Sequence, residues 1–447
     1  MKFSAGQVRK STSGGLHAAR VYVLRLAFFV LWSGFVFIVG CSKPTPSTLT
    51  MTPLAISATS ISYLPRLTYT ATLPSQTIIT SSPTSTTELE SVGPDIFPSD
   101  VNPLTGLKVE NPTLLELPPA LVSISNSPRT ARPQSGLSYA SFVFELYIGE
   151  GASRFLAVFY GDYPPVTMQT PDGEEYPVEI GPIRSGRLPY ESLRLLYKGF
   201  LVFASASNRV LPYLDEYYLV FGDTDADNVN TAHIAVSDLI RLAQNWKPSL
   251  GQPHLYGLRF DAQTPPGGEK GNGLWIPFHY TDQVFWRYDP QLRAYLRSQD
   301  EEDGSTIVPH VDRLTGRTLA FENVVVMFAN YTFFDATLFK IDLMYITRSP
   351  ALLFRDGRMY EIYWTTGNTE YERKTGRLRP IRFVDREGNP IPLHPGQTWV
   401  EIIPLYTTYR EVIDTTDYKK LLSQAQPGSG IWAVYFYPPV TQTEAAR

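Results

Sequence analysis

The chain contains one cysteine in 447 residues, Cys41, so no intrachain disulfide can hold it together. Any folded part must therefore be stabilised by its core alone. Cys41 follows an apolar run over residues 26–39 and the small residue Gly40, and no acidic residue precedes that run. The basic residues at the start of the chain are Lys2, Arg9, Lys10, Arg20 and Arg25. A basic start, an apolar run and a small residue before a cysteine are typical of a bacterial lipoprotein signal.

We therefore predict that residues 1–40 are a signal peptide and that Cys41 carries lipid. The run over residues 26–40 is shorter than the roughly 20 apolar residues that a membrane-spanning helix needs. Acyl chains anchor a protein because each buried CH₂ group contributes about 0.8 kcal/mol. The prediction places the protein at the cell membrane, lipid-anchored and facing outside the cytoplasm.

Residues 41–99 have a different composition, rich in Ser, Thr and Pro and poor in charge before Glu88. Such a segment buries too little apolar surface to offset the entropy lost on folding. We interpret it as a disordered tether that sets the reach of the folded part above the membrane. The net charge of −4 gives no reason to expect a nucleic-acid partner.

Globular composition begins near residue 100, and strand patterns dominate from there. Short runs rich in Val, Phe and Tyr predict strands over residues 120–125, 141–148, 154–160, 199–206 and 217–221. Two helices are predicted, over residues 188–197 and over residues 237–246 with Ser237 as the N-cap. A stretch of Pro and Gly at residues 261–273 predicts a boundary, which gives an N-terminal domain over residues 100–262 and a C-terminal domain over residues 274–440.

The second half is predicted to be almost entirely strand. The runs lie at residues 283–288, 294–298, 351–354, 359–364, 381–384, 399–403 and 431–437. The pairs Asp289-Pro290 and Asp356-Gly357 are typical of hairpin turns. The predicted class is α+β, with two β-rich subdomains and a few helices in the N-terminal half.

Aromatic residues crowd residues 275–288, including Trp275, Phe278, Tyr280 and Trp286. Such side chains can line a groove for sugars or peptides. Burial in a β-domain core is the interpretation we favour, because large rings are commonly buried.

The densest polar group lies on strands, strand ends and loops between residues 123 and 187. With one later histidine it supplies the candidate ligand-binding residues Asn126, Arg129, Arg132, Gln134, Glu145, Glu150, Arg154, Arg184, Ser185, Arg187 and His233. Arginine forks suit the oxygens of a carboxylate or phosphate, and a loop before a helix adds backbone N–H donors. Alternatively, Glu145 and Glu150 pair with these arginines and fix the loops, because buried charges are normally paired. Ser185 is also a candidate helix N-cap.

Several motifs follow one another in a characteristic order. They are Asn-Pro-Leu-Thr-Gly at 102–106, Ala-Arg-Pro-Gln-Ser-Gly-Leu at 131–137, Glu145, Glu-Gly at 150–151, Arg-Phe at 154–155 and Ile-Gly-Pro-Ile-Arg-Ser at 180–185. The ordered set resembles the YerB-like family of bacterial lipoproteins, with looser matches at residues 354–358, 364 and 395–400. The resemblance implies a lipid-anchored envelope protein of α+β fold with no established activity. Where the family carries a Pro-His-Asn-Leu-Tyr stretch, this chain retains His233 alone.

No pattern of a known catalytic or metal site emerges from the residues. The segment beginning at Asp223 starts like a calcium loop, but Asn228 and Ile234 occupy the positions of the required Gly and Glu. The six histidines lack ligand spacing, and neither a phosphate-binding loop nor a nucleophile elbow occurs. We predict no metal and no cofactor.

The leading hypothesis is a non-catalytic binding or interaction module of the cell envelope, attached to the membrane through Cys41. Its anionic ligand would be held by Arg132, Arg154, Arg184 and Arg187, and either a cell-wall polymer or an envelope protein would qualify. The alternative is a cell-envelope hydrolase in which Glu145 and Glu150, or His233, serve as acid and base.

Overall fold

The computed structural model describes residues 91–223, 230–247, 249, 251, 253–367, 370–413 and 426–437. The predicted signal peptide, Cys41 and almost all of the tether lie outside the described residues. Within those ranges, no helix combines the length and the apolar character needed to cross a bilayer.

Strands are the main regular structure of the described residues. The first ten are β1 (Ala120–Ser125), β2 (Phe142–Gly149), β3 (Ala152–Phe159), β4 (Thr167–Gln169), β5 (Glu175–Pro177), β6 (Glu179–Ile180), β7 (Phe200–Phe203), β8 (Tyr217–Leu219), β9 (Ile234–Ala235) and β10 (Arg259–Phe260). The others are β11 (Glu269–Lys270), β12 (Gly273–His279), β13 (Asp282–Asp289), β14 (Ala294–Asp300), β15 (Ile307–Pro309), β16 (Ala320–Phe321), β17 (Asn323–Phe333), β18 (Phe339–Asp342), β19 (Ser349–Arg355), β20 (Arg358–Thr365), β21 (Arg382–Val384), β22 (Pro392–Leu393), β23 (Thr398–Pro404), β24 (Thr408–Glu411) and β25 (Ile431–Tyr435).

The helices are few and short in the described part of the chain. They are α1 (Leu188–Tyr197), α2 (Val236–Asn245) and α3 (Glu370–Thr375), with 3₁₀ turns at Pro112–Glu116, Arg129–Ala131, Leu137–Tyr139 and Leu211–Tyr213. The bounds of α1 match the prediction. Both predicted caps are wrong, because Ala235 precedes α2 where Ser237 was expected and Arg187, rather than Ser185, precedes α1; neither helix has a side-chain cap.

The predicted α+β class is wrong, since the fold is mostly β. The helices have 10, 10 and 6 residues, and α3 lies in the C-terminal half rather than with the others. The sequence patterns correctly predicted the positions of α1 and α2. These helices cover parts of large mixed sheets, however, and do not form a layer of their own.

The larger sheet has twelve strands and contains both halves of the sequence. Its order is β11-β20-β19-β17-β23-β2-β3-β1-β7-β8, with β18 beside β17 and β21 beside β20. The late strand β23 runs parallel to β2 on one side and to β17 on the other. The sheet therefore crosses the predicted boundary between residues 262 and 274.

A second sheet of seven strands follows the order β15-β14-β13-β12-β25-β24, with β16 beside β14. Three two-stranded pairs, β4–β5, β6–β9 and β10–β22, complete the described sheets. Both predicted hairpins form, as β13–β14 and β19–β20. At the turn of β19–β20, Asp356 and Gly357 have φ of 52° and 70°, as two-residue turns of this sequence require.

The middle of the larger sheet is buried on both faces. Leu121 and Phe144 belong to the core on the side of α1, whereas Val122 and Val143 belong to the core shared with the second sheet. Successive side chains point to opposite faces of a strand, so two cores give strands that are apolar at nearly every position.

The aromatic stretch over residues 275–288 is mostly buried. Trp275, Phe278 and Trp286 are buried, whereas Tyr280 is 67% exposed. The core interpretation of this stretch therefore holds for most of its rings.

Candidate functional site

The predicted polar residues are divided between the two faces of the larger sheet. Glu145 lies between Val143 and Tyr147 on the face shared with the second sheet, and these two neighbours belong to that core. Arg154 alternates with Leu156, which belongs to the core on the α1 side. Glu145 and Arg154, both candidate ligand-binding residues, therefore point to opposite faces of the larger sheet.

Three of the predicted arginines, Arg154, Arg184 and Arg187, form what we call the arginine cluster. Arg154 lies near the start of β3, where it pairs in register with Ser125 at the end of β1. Arg184 and Arg187 lie in the loop that leads into α1. Strands β1 and β7 are parallel, so the cluster lies where their carboxyl ends meet the start of a helix, a common position for ligands in open sheets.

Backbone hydrogen bonds hold the arginine loop in place. The N–H of Arg184 donates to the carbonyl of Ser123 at 2.9 Å, and the N–H of Gly186 donates to the carbonyl of Ser205 at 2.7 Å. These bonds attach the loop to the ends of both β1 and β7. The guanidinium groups therefore project from a backbone that is fixed by the sheet.

Arg154 is only 4% exposed, yet no salt bridge reaches Arg154 or Arg187 from a carboxylate in the described part of the chain. One Nη of Arg154 donates to the carbonyl of Ser185 at 3.3 Å, and one Nη of Arg187 donates to the carbonyl of Gly186 at 3.4 Å. The Nε atoms of Arg154 and Arg187 are buried without an acceptor. The exposed Glu150 acts on Arg187 only through its charge.

The pKa values of the cluster reflect this crowding of positive charge. Burial, followed by the charge of Arg187, lowers the pKa of Arg154 to about 9. Burial also lowers the pKa of Arg187, and burial together with the charge of Arg187 lowers that of Arg184. An anion bound here would relieve this repulsion.

Sequence reasoning missed two hydroxyl groups beside the cluster, those of Ser205 and Tyr190. The Oγ atoms of Ser185 and Ser205 are 2.9 Å apart, and the hydroxyl of Tyr190 lies 3.4 Å from that of Ser123. Ser205 lies two residues after the end of β7. It also falls near the end of the predicted strand 199–206, so the sequence pattern could have placed it at this edge of the sheet. The carbonyl of Ser185 accepts from Arg154, whereas its hydroxyl contacts that of Ser205.

Glu145 belongs to a second polar cluster, enclosed between the two sheets. Its Oε2 accepts from Nη2 of Arg297 at 2.8 Å and from the indole N–H of Trp399 at 3.2 Å. In the neighbouring strand β23, Glu401 is its register partner and accepts from the indole N–H of Trp286 at 2.9 Å. Glu145, Arg297 and Glu401 are each 0% exposed. We call this set, with His310 and Asp282, the buried ionic network.

The ionisation of this network follows from burial. Burial, and next the charge of Glu145, raise the pKa of Glu401 well above its ordinary range and that of Asp282 to about 7. Burial and the charge of Arg297 hold the pKa of His310 well below its ordinary value. His310 is therefore neutral, and its Nδ1 accepts from Arg297 at 2.6 Å.

Three more of the predicted residues adjoin this network. Gln134 Oε1 lies 2.8 Å from Nε2 of His310. Nδ2 of Asn126 donates to Oγ of Ser153 at 2.9 Å, and Nε of Arg132 donates to the carbonyl of Asn126 at 3.1 Å. These contacts fix loops to the sheet, and Arg132 does not join the arginine cluster. The sequence did contain a sign of the buried ionic network. Charged residues at positions 282, 297 and 401 interrupt apolar strand patterns, and this was overlooked.

The remaining candidates lie apart from both clusters. Glu150 is exposed in the β2–β3 turn with φ of 53°, and Arg129 forms a salt bridge with Glu301 at 2.5 Å. His233 has its Nδ1 3.2 Å from the carbonyl of Thr231, and burial lowers its pKa. In the described part of the chain, no hydrogen bond joins Glu145, Glu150 and His233.

Taken together, the two large sheets and the arginine cluster define a mostly β protein with a candidate anion site beside α1. The family described as protein of unknown function (DUF3048) matches the chain in two parts, its N-terminal domain over residues 104–245 and its C-terminal domain over residues 274–400. The chain belongs to this family.

A protein of Bacillus subtilis (strain 168) named "Putative lipoprotein YerB" is 27% identical over 316 residues, which are 68% of this chain and 86% of that protein. The crystal structure of the YerB protein from Bacillus subtilis aligns with a TM-score of 0.51 and 25% identity, over 68% of this chain and 96% of that one. The family resemblance identified from the ordered motifs is confirmed.

Proposed function

We infer that this chain is a lipid-anchored protein that binds an anionic ligand of the cell envelope at the arginine cluster. The observation that carries the proposal is Arg154, a nearly buried cation with two further arginines beside it and no carboxylate partner in the described part of the chain. The sequence around Cys41 and the similarity to the Bacillus subtilis protein named as a lipoprotein support the lipid anchor.

The cost of burying charge favours a binding role over a purely structural one. A buried charge without a partner costs several kcal/mol, and arginines that stabilise a fold are therefore paired. Arg297, paired with Glu145 in the same protein, shows what the structural arrangement looks like. A carboxylate or phosphate at the arginine cluster would accept from the guanidinium N–H groups of Arg154 and Arg187.

The hydrolase alternative receives less support from the geometry. Glu145 is sealed in the core against Arg297, whereas Glu150 is exposed. A catalytic acid and base must both reach the same bond of the substrate, and a carboxylate sealed in the core cannot reach it. Binding is therefore the function that these positions support best.

Retention of the purified protein on cell-wall fractions tests the proposal. Arg187→Ala should weaken retention by about 10- to 100-fold, because a hydrogen bond to a charged group contributes about 1.5–3 kcal/mol. Arg241→Ala is the matched control, since Arg241 is exposed on α2 and pairs with Asp238. Absence of retention of the wild-type protein, or equal retention of both variants and wild type, would overturn the proposal.

A further inference from the structure

Helix α1 leads from the arginine cluster directly into a groove. The groove has a volume of about 750 Å³. It lies between the first turns of α1, the segment after β7 and the β17–β18 hairpin, and the residues used below are Leu188, Ser192, Asn208, Tyr213, Phe334 and Leu338. Leu188 directly follows Arg187, so the groove begins where the cluster ends.

Two exposed aromatic rings line this groove. Tyr213 is 67% exposed and Phe334 is 57% exposed. They come from distant parts of the sequence, with the apolar Leu188 and Leu338 beside them and the polar Ser192 and Asn208 within reach of the same space. Apolar rings with a few neutral hydrogen-bonding groups are typical of ligand pockets, and they suit a sugar ring, which has apolar C–H faces and a rim of hydroxyls.

The charges that line the groove are already balanced within the protein. Arg209 pairs with Asp335, and Lys340 pairs with Asp342 at 2.9 Å. Glu191 accepts from Nε of Arg194 at 3.0 Å. The groove therefore suits an uncharged part of a ligand. Next to it lie Arg154 and Arg187, which have no salt bridge to a carboxylate in the described part of the chain.

We propose that the groove and the arginine cluster form one elongated site for an anionic glycan. A sugar ring packs against Tyr213 and Phe334, and a carboxylate or phosphate on the same glycan binds Arg154 and Arg187. The first five residues of α1, from Leu188 to Ser192, extend about 6 Å along its axis, which is comparable with the distance from a charged group to a neighbouring sugar ring. This inference rests on the proposed function and adds the chemical class of the ligand.

Titration of the full chain with three probes tests the inference. The probes are inorganic phosphate, a peptidoglycan disaccharide that carries a muramic acid carboxylate, and a glycosylated glycerol phosphate oligomer. Tyr213→Ala should weaken binding of at least one glycan about three- to tenfold and leave phosphate binding unchanged. Tyr345→Ala, another exposed tyrosine (64% exposed) that does not line the groove, should leave every probe unaffected.

The outcomes separate failure of this inference from failure of the proposed function. Loss of phosphate and glycan binding in Arg187→Ala, with glycan binding unchanged in Tyr213→Ala and Phe334→Ala, overturns the groove and leaves the anion site in place. Undiminished binding of all probes in Arg187→Ala overturns both. An acidic peptide serves as a fourth probe. If it binds with dependence on Tyr213 and neither glycan binds, the proposed ligand class is wrong. Comparison of the two glycan affinities shows whether the anionic group of the ligand is a carboxylate or a phosphate.

Discussion

Replacing Arg297 by methionine should destabilise this protein far more than any exposed arginine replacement. The side chains of Arg297 and Glu145 are both 0% exposed, and methionine keeps much of the stem of Arg297 while removing its charge. Glu145 would then remain in the core without its cation. Removing one partner of a buried pair costs about 3–5 kcal/mol, a large share of the roughly 5–15 kcal/mol that stabilises a typical domain.

The neighbouring contacts place the expected loss in the upper part of that range. Arg297 also donates to Gln299 at 3.1 Å and to His310 at 2.6 Å, and its guanidinium lies 4.8 Å from the ring centre of Trp399. Each acceptor left unsatisfied in the core adds to the cost. We therefore expect the free energy of unfolding to fall by about 4–5 kcal/mol.

Urea unfolding of the purified protein, followed by tryptophan fluorescence, measures this loss. Trp286 and Trp399 both lie against the guanidinium of Arg297, so the signal reports on this part of the core. Arg241→Met is the matched control, because its ion pair with Asp238 has side chains 69% and 51% exposed. That substitution should cost less than about 1 kcal/mol.

The double variant Arg297→Met/Glu145→Gln tests the cause. If an uncompensated carboxylate is responsible, the double variant should be more stable than Arg297→Met alone. A loss in Arg297→Met that does not exceed that of Arg241→Met would refute the reasoning. So would a double variant no more stable than the single one.

Two further predictions concern pH and backbone conformation. The folded-state pKa of Asp282 is raised from 3.8 to about 7, so its stabilising contribution is present below the ordinary pKa and is lost as pH rises through the folded-state value. Urea unfolding at pH 4 and pH 7 should therefore show a smaller fall in stability for Asp282→Asn than for wild type, and equal falls would contradict this sign. Gly357→Ala places a Cβ at φ of 70° and 2.8 Å from the ring of Tyr288, whereas Gly376→Ala at φ of 66° meets nothing within 4 Å. Thermal unfolding should show both variants destabilised, Gly357→Ala by about 1 kcal/mol more, and the reverse order would contradict the role of the contact.

Local features of the fold were predictable from sequence because their causes are local. The strand over residues 120–125 and the helix over residues 188–197 have the predicted bounds. The Asp356-Gly357 turn also forms, since few residue pairs accept two positive φ angles. The fold class was missed because it depends on how strands are ordered in space. β23 lies between β2 and β17 because Thr398 pairs with Phe142, 256 residues away, and with Asn323, 75 residues away, and periodicity does not record such pairings.

The candidate site was predictable as a set of residues but not as an arrangement. Arg184 and Arg187 lie in one short loop, so their proximity follows from sequence. Glu145 and Arg154 are nine residues apart across a hairpin, and a register shift between Tyr147 and Gly149 helps decide which face each one occupies. The partner of Glu145 is Arg297, 152 residues away, and no pattern near Glu145 indicates it.

Arginine is buried in two different environments in this protein. Arg297 is paired within the core, whereas Arg154 is buried beside other arginines. On one face of the larger sheet, Arg297 has a carboxylate, a histidine and a glutamine as acceptors and is 0% exposed. On the other face, Arg154 is nearly as deeply buried, yet its neighbours are further arginines, a tyrosine and a backbone carbonyl. A sequence under selection for stability alone would tend to replace such a cation by an apolar side chain of similar volume, which commonly stabilises a core. Arg154 also lies at the carboxyl ends of two parallel strands and at the start of α1, where backbone N–H groups favour negative charge. The energetic cost of burying Arg154 and its position in the sheet therefore both favour pairing with an oxyanion that a ligand supplies.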